Sequence, residues 1–121
     1  MTDPKAIATA YVNLWNEHVA GRGREIFKAN WTPDATYVDP LMSSDGHDGV
    51  DALIDGVQQR FPDFKFTLIG EPNGYGNHVR FSWGLGPDGV DCPIKGTDFA
   101  VLKDGLIRSI TGFLDQVPPG V

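Results

Sequence analysis

The chain has one cysteine, Cys92, so no intrachain disulfide can form, and no His/Cys cluster has the spacing of zinc ligands. Cationic residues are few and scattered (Arg22, Arg24, Lys28, Arg60, Lys65, Arg80, Lys95, Lys103, Arg108), and the net charge is −6. That balance argues against nucleic acid and anionic membrane as partners. No stretch approaches the ~18 consecutive apolar residues of a membrane span. Met1-Thr2-Asp3-Pro4-Lys5 lacks the basic and apolar segments of a secretory leader, so a reducing cytoplasm is the expected compartment. Internal repeats, low-complexity runs and interdomain linkers are also missing.

What is present is enough for one domain, expected to cover 1–121. The chain is 121 residues long and 40% hydrophobic, and Trp15, Trp31 and Trp83 add large apolar area. Such a chain can build a core without help from metal or disulfide.

Periodicity divides the chain into a helical first part and a stranded second part. Asp3 as N-cap and Pro4 at the first helical position predict a helix with Ile7, Tyr11, Leu14, Trp15 and His18 on one face, stopping near Gly21. A second helix is predicted around Arg24 to Trp31, broken by Thr32-Pro33-Asp34. A short strand, Ala35 to Val38, ends at Asp39-Pro40, because proline holds the preceding residue extended and blocks further pairing. After a loop from Ser43 to Gly46, Asp48 can cap a third helix that ends before Pro62.

From Phe64 the period changes to two. Phe64, Phe66 and Leu68 form one alternating run and Val79, Phe81, Trp83 and Leu85 another, joined through Asn73 to Asn77. Two further strands, Lys95 to Leu102 and Leu106 to Leu114, meet at Asp104-Gly105 and complete a predicted antiparallel meander. Helices first and sheet afterwards is the α+β pattern, here with helices on one face of a curved sheet and a cone-shaped pocket between them. The other face carries Thr97, Phe99 and Val101, and a second subunit is its simplest cover.

Asp98 is the most informative residue. It shares a strand face with Gly96, Ala100 and Leu102, and an ionised carboxyl there is costly without a partner. With no Arg or Lys beside it, desolvation should raise its pKa, a condition that catalytic sites use and that structural networks also produce.

The segments Ala35-Thr36-Tyr37-Val38-Asp39-Pro40, Arg60-Phe61-Pro62-Asp63, Gly96-Thr97-Asp98-Phe99, Lys103-Asp104-Gly105-Leu106-Ile107 and Phe113-Leu114-Asp115, in this order after a helix bearing Tyr11, resemble the SnoaL-like polyketide cyclase family. That family belongs to the cone-shaped nuclear transport factor 2-like superfamily, which includes the ketosteroid isomerases. The resemblance runs from about Ala6 to Asp115 and implies the cone fold, a homodimer and a small hydrophobic ligand.

It also implies residue roles. Asp39 stands where the isomerases carry their general base, Asp98 where they carry a protonated donor, and Tyr11 where their oxyanion-binding tyrosine lies on the first helix. In the cyclases the acid/base Asp corresponds to Asp98. The further tyrosines that support the donor in some isomerases have no clear match. The implied chemistry is enolisation, with no metal and no organic cofactor. Trp15, Trp31 and Trp83, with His18 and His47 towards the ends of the cone, are the expected substrate-binding residues. Limonene epoxide hydrolases of the superfamily carry an Arg two residues before the strand Asp, and Gly96 occupies that place. The alternative to an enzyme is a non-catalytic ligand-binding or dimeric interaction module of the same fold.

Overall fold

Asp3 accepts hydrogen bonds from the amides of Lys5 (3.0 Å) and Ala6 (3.4 Å), and this cap opens α1, Pro4–Asn16, in the computed structural model, which describes residues 3–19 and 21–119. The helix ends five residues before Gly21, because Glu17 is already extended. Two side chains fix its end. Asn16 pairs like a strand residue with Phe66, donating to its carbonyl and accepting from its amide, each at 2.8 Å. Gln58 donates to the carbonyls of Trp15 and Glu17, both at 2.9 Å, which satisfies groups that a helix terminus leaves open.

The order continues with α2 (Arg22–Asn30), β1 (Trp31–Val38), β2 (Ser43–Asp45), α3 (Gly46–Arg60), β3 (Lys65–Tyr75), β4 (His78–Gly86), β5 (Ile94–Lys103) and β6 (Leu106–Gln116). Thr32-Pro33-Asp34 does end α2, but the chain extends at once, so β1 begins four residues earlier than predicted, with a register shift between Trp31 and Thr36. Ser43 to Asp45, read as loop, is a short edge strand on β1.

Among the described residues six strands form one curved, unclosed sheet in the order β2-β1-β6-β5-β4-β3. The β3 to β6 meander is antiparallel, as its alternation predicts. The β1 to β6 pairing is parallel, so the sheet is mixed. Two tight connections hold the meander: Gly76-Asn77 between Tyr75 and His78, and Asp104-Gly105 between Lys103 and Leu106. Both residues of the second turn have positive φ (52° and 81°), the geometry that suits the twist of a hairpin.

The three helices lie against the concave face, giving the α+β cone. The largest fully buried side chains include Trp31, Phe27, Leu14, Ile107 and Ile110, and Asp98 stands among them at 1% exposure. Among the described residues no helix is long and apolar enough to cross a membrane.

Candidate active site

A cavity of about 320 Å³ opens between α1, α3, β1 and the concave face of the sheet. That is the lower end of the range of small-molecule sites, roughly 300–1,000 Å³. Its wall is almost wholly apolar, with Trp15, Phe66 and Trp83 packed ring to ring (5.2 and 5.3 Å between centroids) and Leu53, Val57 and Phe61 across from them. Tyr11, Tyr37, Asp39 and Arg60 bring polar groups to it. Leu41, Arg60 and Val117 are exposed and mark the rim, whereas Tyr11, Trp15 and Tyr37 are buried and mark the floor.

Tyr11 donates its hydroxyl to Oδ2 of Asp98 at 2.5 Å. The helical periodicity of α1 and the strand alternation of β5 bring these two side chains to the same layer, where Phe81, the cross-strand neighbour of Asp98, packs its ring 4.9 Å from that of Tyr11. Burial raises the Asp98 pKa to about 6. The Tyr11 hydroxyl and the nearby indole N–H of Trp83 pull it back in part, and the carboxyl groups of Asp39 and Asp115 push it up. Neither Trp83 Nε1 nor Asp98 Oδ1 makes a hydrogen bond of good geometry within the protein. Burial, with the Asp98 charge second, also raises Tyr11 well above the usual phenol range.

Asp39 lies at the end of β1. Its Oδ1 accepts from the amides of Leu41 (2.8 Å) and Met42 (3.0 Å), while Tyr37 donates to its Oδ2 at 2.7 Å. It is therefore a turn-capping carboxylate and a cavity residue at once. Burial, followed by the charge of Asp98, raises the pKa of Tyr37.

Two strand glycines make room for this cluster. Neither has a positive φ, so space and not backbone freedom is what they supply. A Cβ on Gly96 would stand 2.4 Å from the indole of Trp83, its cross-strand partner. Gly112, the cross-strand partner of Asp98 on β6, would place a Cβ 3.0 Å from Asp98 Oδ1, 3.2 Å from Asp39 Cβ and 3.6 Å from the Tyr37 hydroxyl.

Of the residues singled out from the sequence, Tyr11, Asp39, Trp15 and Trp83 line the cavity. Asp98 does not line it and reaches it through Tyr11. His18 lies beyond the end of α1 and is exposed, so its spacing of seven from Tyr11 has no helix to act on. Trp31 is core, its ring nearly parallel to that of Tyr11 at 6.1 Å and edge-on to Phe27. His47 stacks on Phe27, and its Nε2 donates to the carbonyls of Trp31 (3.2 Å) and Thr32 (3.1 Å), tying the start of α3 to β1. Tyr37 went unrecognised, although the period of two in Ala35, Tyr37 and Asp39 sets it on the face of the candidate base. No three His, Cys, Asp or Glu residues among those described come together as a metal site.

The profile of the SnoaL-like domain matches residues 8–110. The chain belongs to the SnoaL-like family. Among solved structures it is similar to a proposed isomerase of the SnoaL-like family from Agrobacterium tumefaciens, with 43% identity, coverage of 91% of this chain and 95% of that one, and a TM-score of 0.85. A proposed ketosteroid isomerase from Kribbella flavida (24% identity, 97% and 83% covered, TM-score 0.70) shares the fold. So does a proposed SnoaL-like polyketide cyclase from Jannaschia sp. (16% identity, 95% and 90% covered, TM-score 0.70). No curated protein matches the sequence.

Proposed function

We propose that this SnoaL-like protein is a cofactor-independent acid/base enzyme that acts on a small hydrophobic carbonyl compound through an enolate, as an isomerase or a cyclase. The observation that carries the reading is the pairing of Tyr11, on the floor of an apolar cavity, with a buried carboxyl behind it, while a second carboxylate, Asp39, faces the same space. Asp39 takes the proton alpha to the carbonyl. Asp98, when protonated, donates to the phenol oxygen of Tyr11, which frees the Tyr11 proton for the ligand oxygen on which charge develops. Returning the proton to another carbon gives isomerisation, and attack of the carbanion on a second carbonyl of the same molecule gives cyclisation. The apolar wall keeps water from the carbanion.

One observation favours a ligand binder instead. Asp39 already accepts three hydrogen bonds, from Leu41, Met42 and Tyr37, so both of its oxygens are engaged within the protein. Binding of hydrophobic phenols and ketones, followed through the fluorescence of Trp15 and Trp83, tests what both readings share. Saturable binding that weakens in Tyr11→Phe supports the site. No binding by either class of compound contradicts both readings.

A second copy of the chain is our proposed cover for the convex face. Val38, Ile69, Phe99 and Phe113 are exposed there, and the strand register sets them on one side of the sheet.

A further inference from the structure

Asp98 and Trp83 each hold a polar atom that is buried without a partner. Oδ1 of Asp98 and Nε1 of Trp83 both lack a hydrogen bond of good geometry, and the two residues are 1% and 8% exposed. An open acceptor and an open donor, both buried, carry a cost that one bond between them removes. The sheet sets them side by side. Phe81 is the cross-strand neighbour of Asp98, and Trp83 that of Gly96, so all four residues share the concave face. The indole lies over Gly96, and its Cε2, the atom that carries Nε1, is 2.8 Å from the point where a Cβ at position 96 would stand. It occupies the place beside Asp98 that a side chain at position 96 would take.

We propose that Trp83 is a positioning residue of the acid/base site, its indole N–H the second donor to Asp98, closing on Oδ1 when the carboxyl becomes charged. The proposal rests on the acid/base reading of the cavity and deepens it. An indole N–H donates and cannot accept. Paired with Oδ1, it leaves the acid proton of Asp98 on Oδ2, the oxygen in contact with Tyr11. In the reaction the C–H bond of the ligand breaks, its proton goes to Asp39 and its electron pair becomes the C=C bond. Tyr11 gives its hydroxyl proton to the ligand oxygen and takes the proton of Asp98 Oδ2. The ligand is then a neutral enol and Asp98 a carboxylate, to which Tyr11 and Trp83 each donate one hydrogen bond. In isomerisation the same transfers run backwards, except that Asp39 delivers its proton to another carbon, and every protein group ends as it began.

The groups facing Asp98 are Tyr11 from α1, Tyr37 and Asp39 from β1 and the turn after it, Trp83 from β4 and Asp115 from β6, none of them a cation. The Tyr37 hydroxyl is engaged with Asp39 Oδ2, and the open indole N–H of Trp15 acts on Tyr11. Burial raises the Asp98 pKa, and the Trp83 N–H, after the Tyr11 hydroxyl, pulls against it.

The test is a pH titration of the ligand-free protein, following the indole 1H–15N signals of the tryptophans and the 13Cγ signals of aspartate in wild type, Asp98→Asn and Trp83→Phe. The Trp83 indole proton should move downfield as Asp98 ionises, with the same midpoint near 6, and this step should be lost in Asp98→Asn. Trp83→Phe keeps a ring on the cavity wall but no donor, and should move the Asp98 midpoint upward. A ring that only packs predicts the opposite sign, because the smaller phenyl lets water approach the carboxyl. A Trp83 signal indifferent to Asp98 overturns the proposal, and so does a midpoint that falls or stays in Trp83→Phe. Should that variant fail to fold, the wild-type and Asp98→Asn signals decide alone. Coupling in a protein that removes no proton from any ketone would sink the enzyme reading and the catalytic use of the pair with it. Proton removal without the coupling would count against Trp83 alone.

Discussion

Tyr11 and Asp98, 87 positions apart in the chain, are joined by a 2.5 Å hydrogen bond, yet only Tyr11 lines the cavity. Any ligand therefore meets the acidity of Asp98 through a phenol. In the proposed reaction a protonated Asp98 donates to the phenol oxygen and leaves the Tyr11 proton for the ligand, while Asp98 itself stays buried at 1% exposure.

Stability should depend on pH through Asp98. Its folded pKa is about 6, raised chiefly by burial, against roughly 3.9 in an unfolded chain. The folded protein holds a proton that the unfolded chain releases, so this contribution is full below about pH 4 and lost as pH rises through 6. The span is about 3 kcal/mol. Urea denaturation of wild type and Asp98→Asn between pH 4 and 7.5 should show a difference that changes by roughly this amount. A constant difference would mean that Asp98 titrates like an exposed carboxyl.

Removing the Tyr11 hydroxyl should push Asp98 further up. That hydroxyl favours the ionised form of the carboxyl, so in Tyr11→Phe the Asp98 midpoint rises above its wild-type value near 6, and the fold loses about 1–3 kcal/mol. Carboxyl 13C titration reads the first effect and denaturation the second. An unmoved midpoint would separate the two side chains in solution.

Two glycines should respond oppositely to alanine. At Gly96 the new methyl meets the Trp83 indole at 2.4 Å and the Phe113 carbonyl at 2.7 Å, so Gly96→Ala should destabilise by about 1–3 kcal/mol and disturb Trp83 emission. At Gly56, on α3, nothing stands within 4 Å of the new methyl, and Gly56→Ala should stabilise by about 0.5–1 kcal/mol. Melting temperatures moving in the same direction would contradict this packing.

The convex face supplies a test of assembly. Sedimentation velocity at micromolar concentration should give a dimer for wild type and a monomer for Phe113→Asp, since Phe113 is 57% exposed on that face. A monomeric wild type would leave the face without its proposed partner.

The legible parts of the candidate site are those with a strong local signal. Asp98 stands out because a charge interrupts the apolar face of β5, and Asp39 because proline follows it. Both were readable without knowing which strands pair. Tyr37 is not legible, because an aromatic in a strand reads as packing, and its bond to Asp39 depends on both facing the same way. His18 was misjudged through the length of α1, whose end is set by Asn16 and Gln58 bonding to distant segments. The parallel pairing of β1 with β6 joins segments more than 70 residues apart. Alternation within either strand carries no trace of that partner, whereas the hairpins announce themselves in their turns.

Proton abstraction from carbon is the core of the functional account, and solvent exchange measures it without knowledge of the natural substrate. A panel of hydrophobic ketones, incubated in D2O with the protein and followed by NMR, should show deuterium entering the alpha position of at least one compound. The rate should fall by about 10²–10⁴ in Asp39→Asn and by about 10²–10³ in Tyr11→Phe. Exchange that is absent for every ketone bound in the cavity, or that persists unchanged in Asp39→Asn, would contradict the enzyme reading and leave a ligand-binding domain in its place.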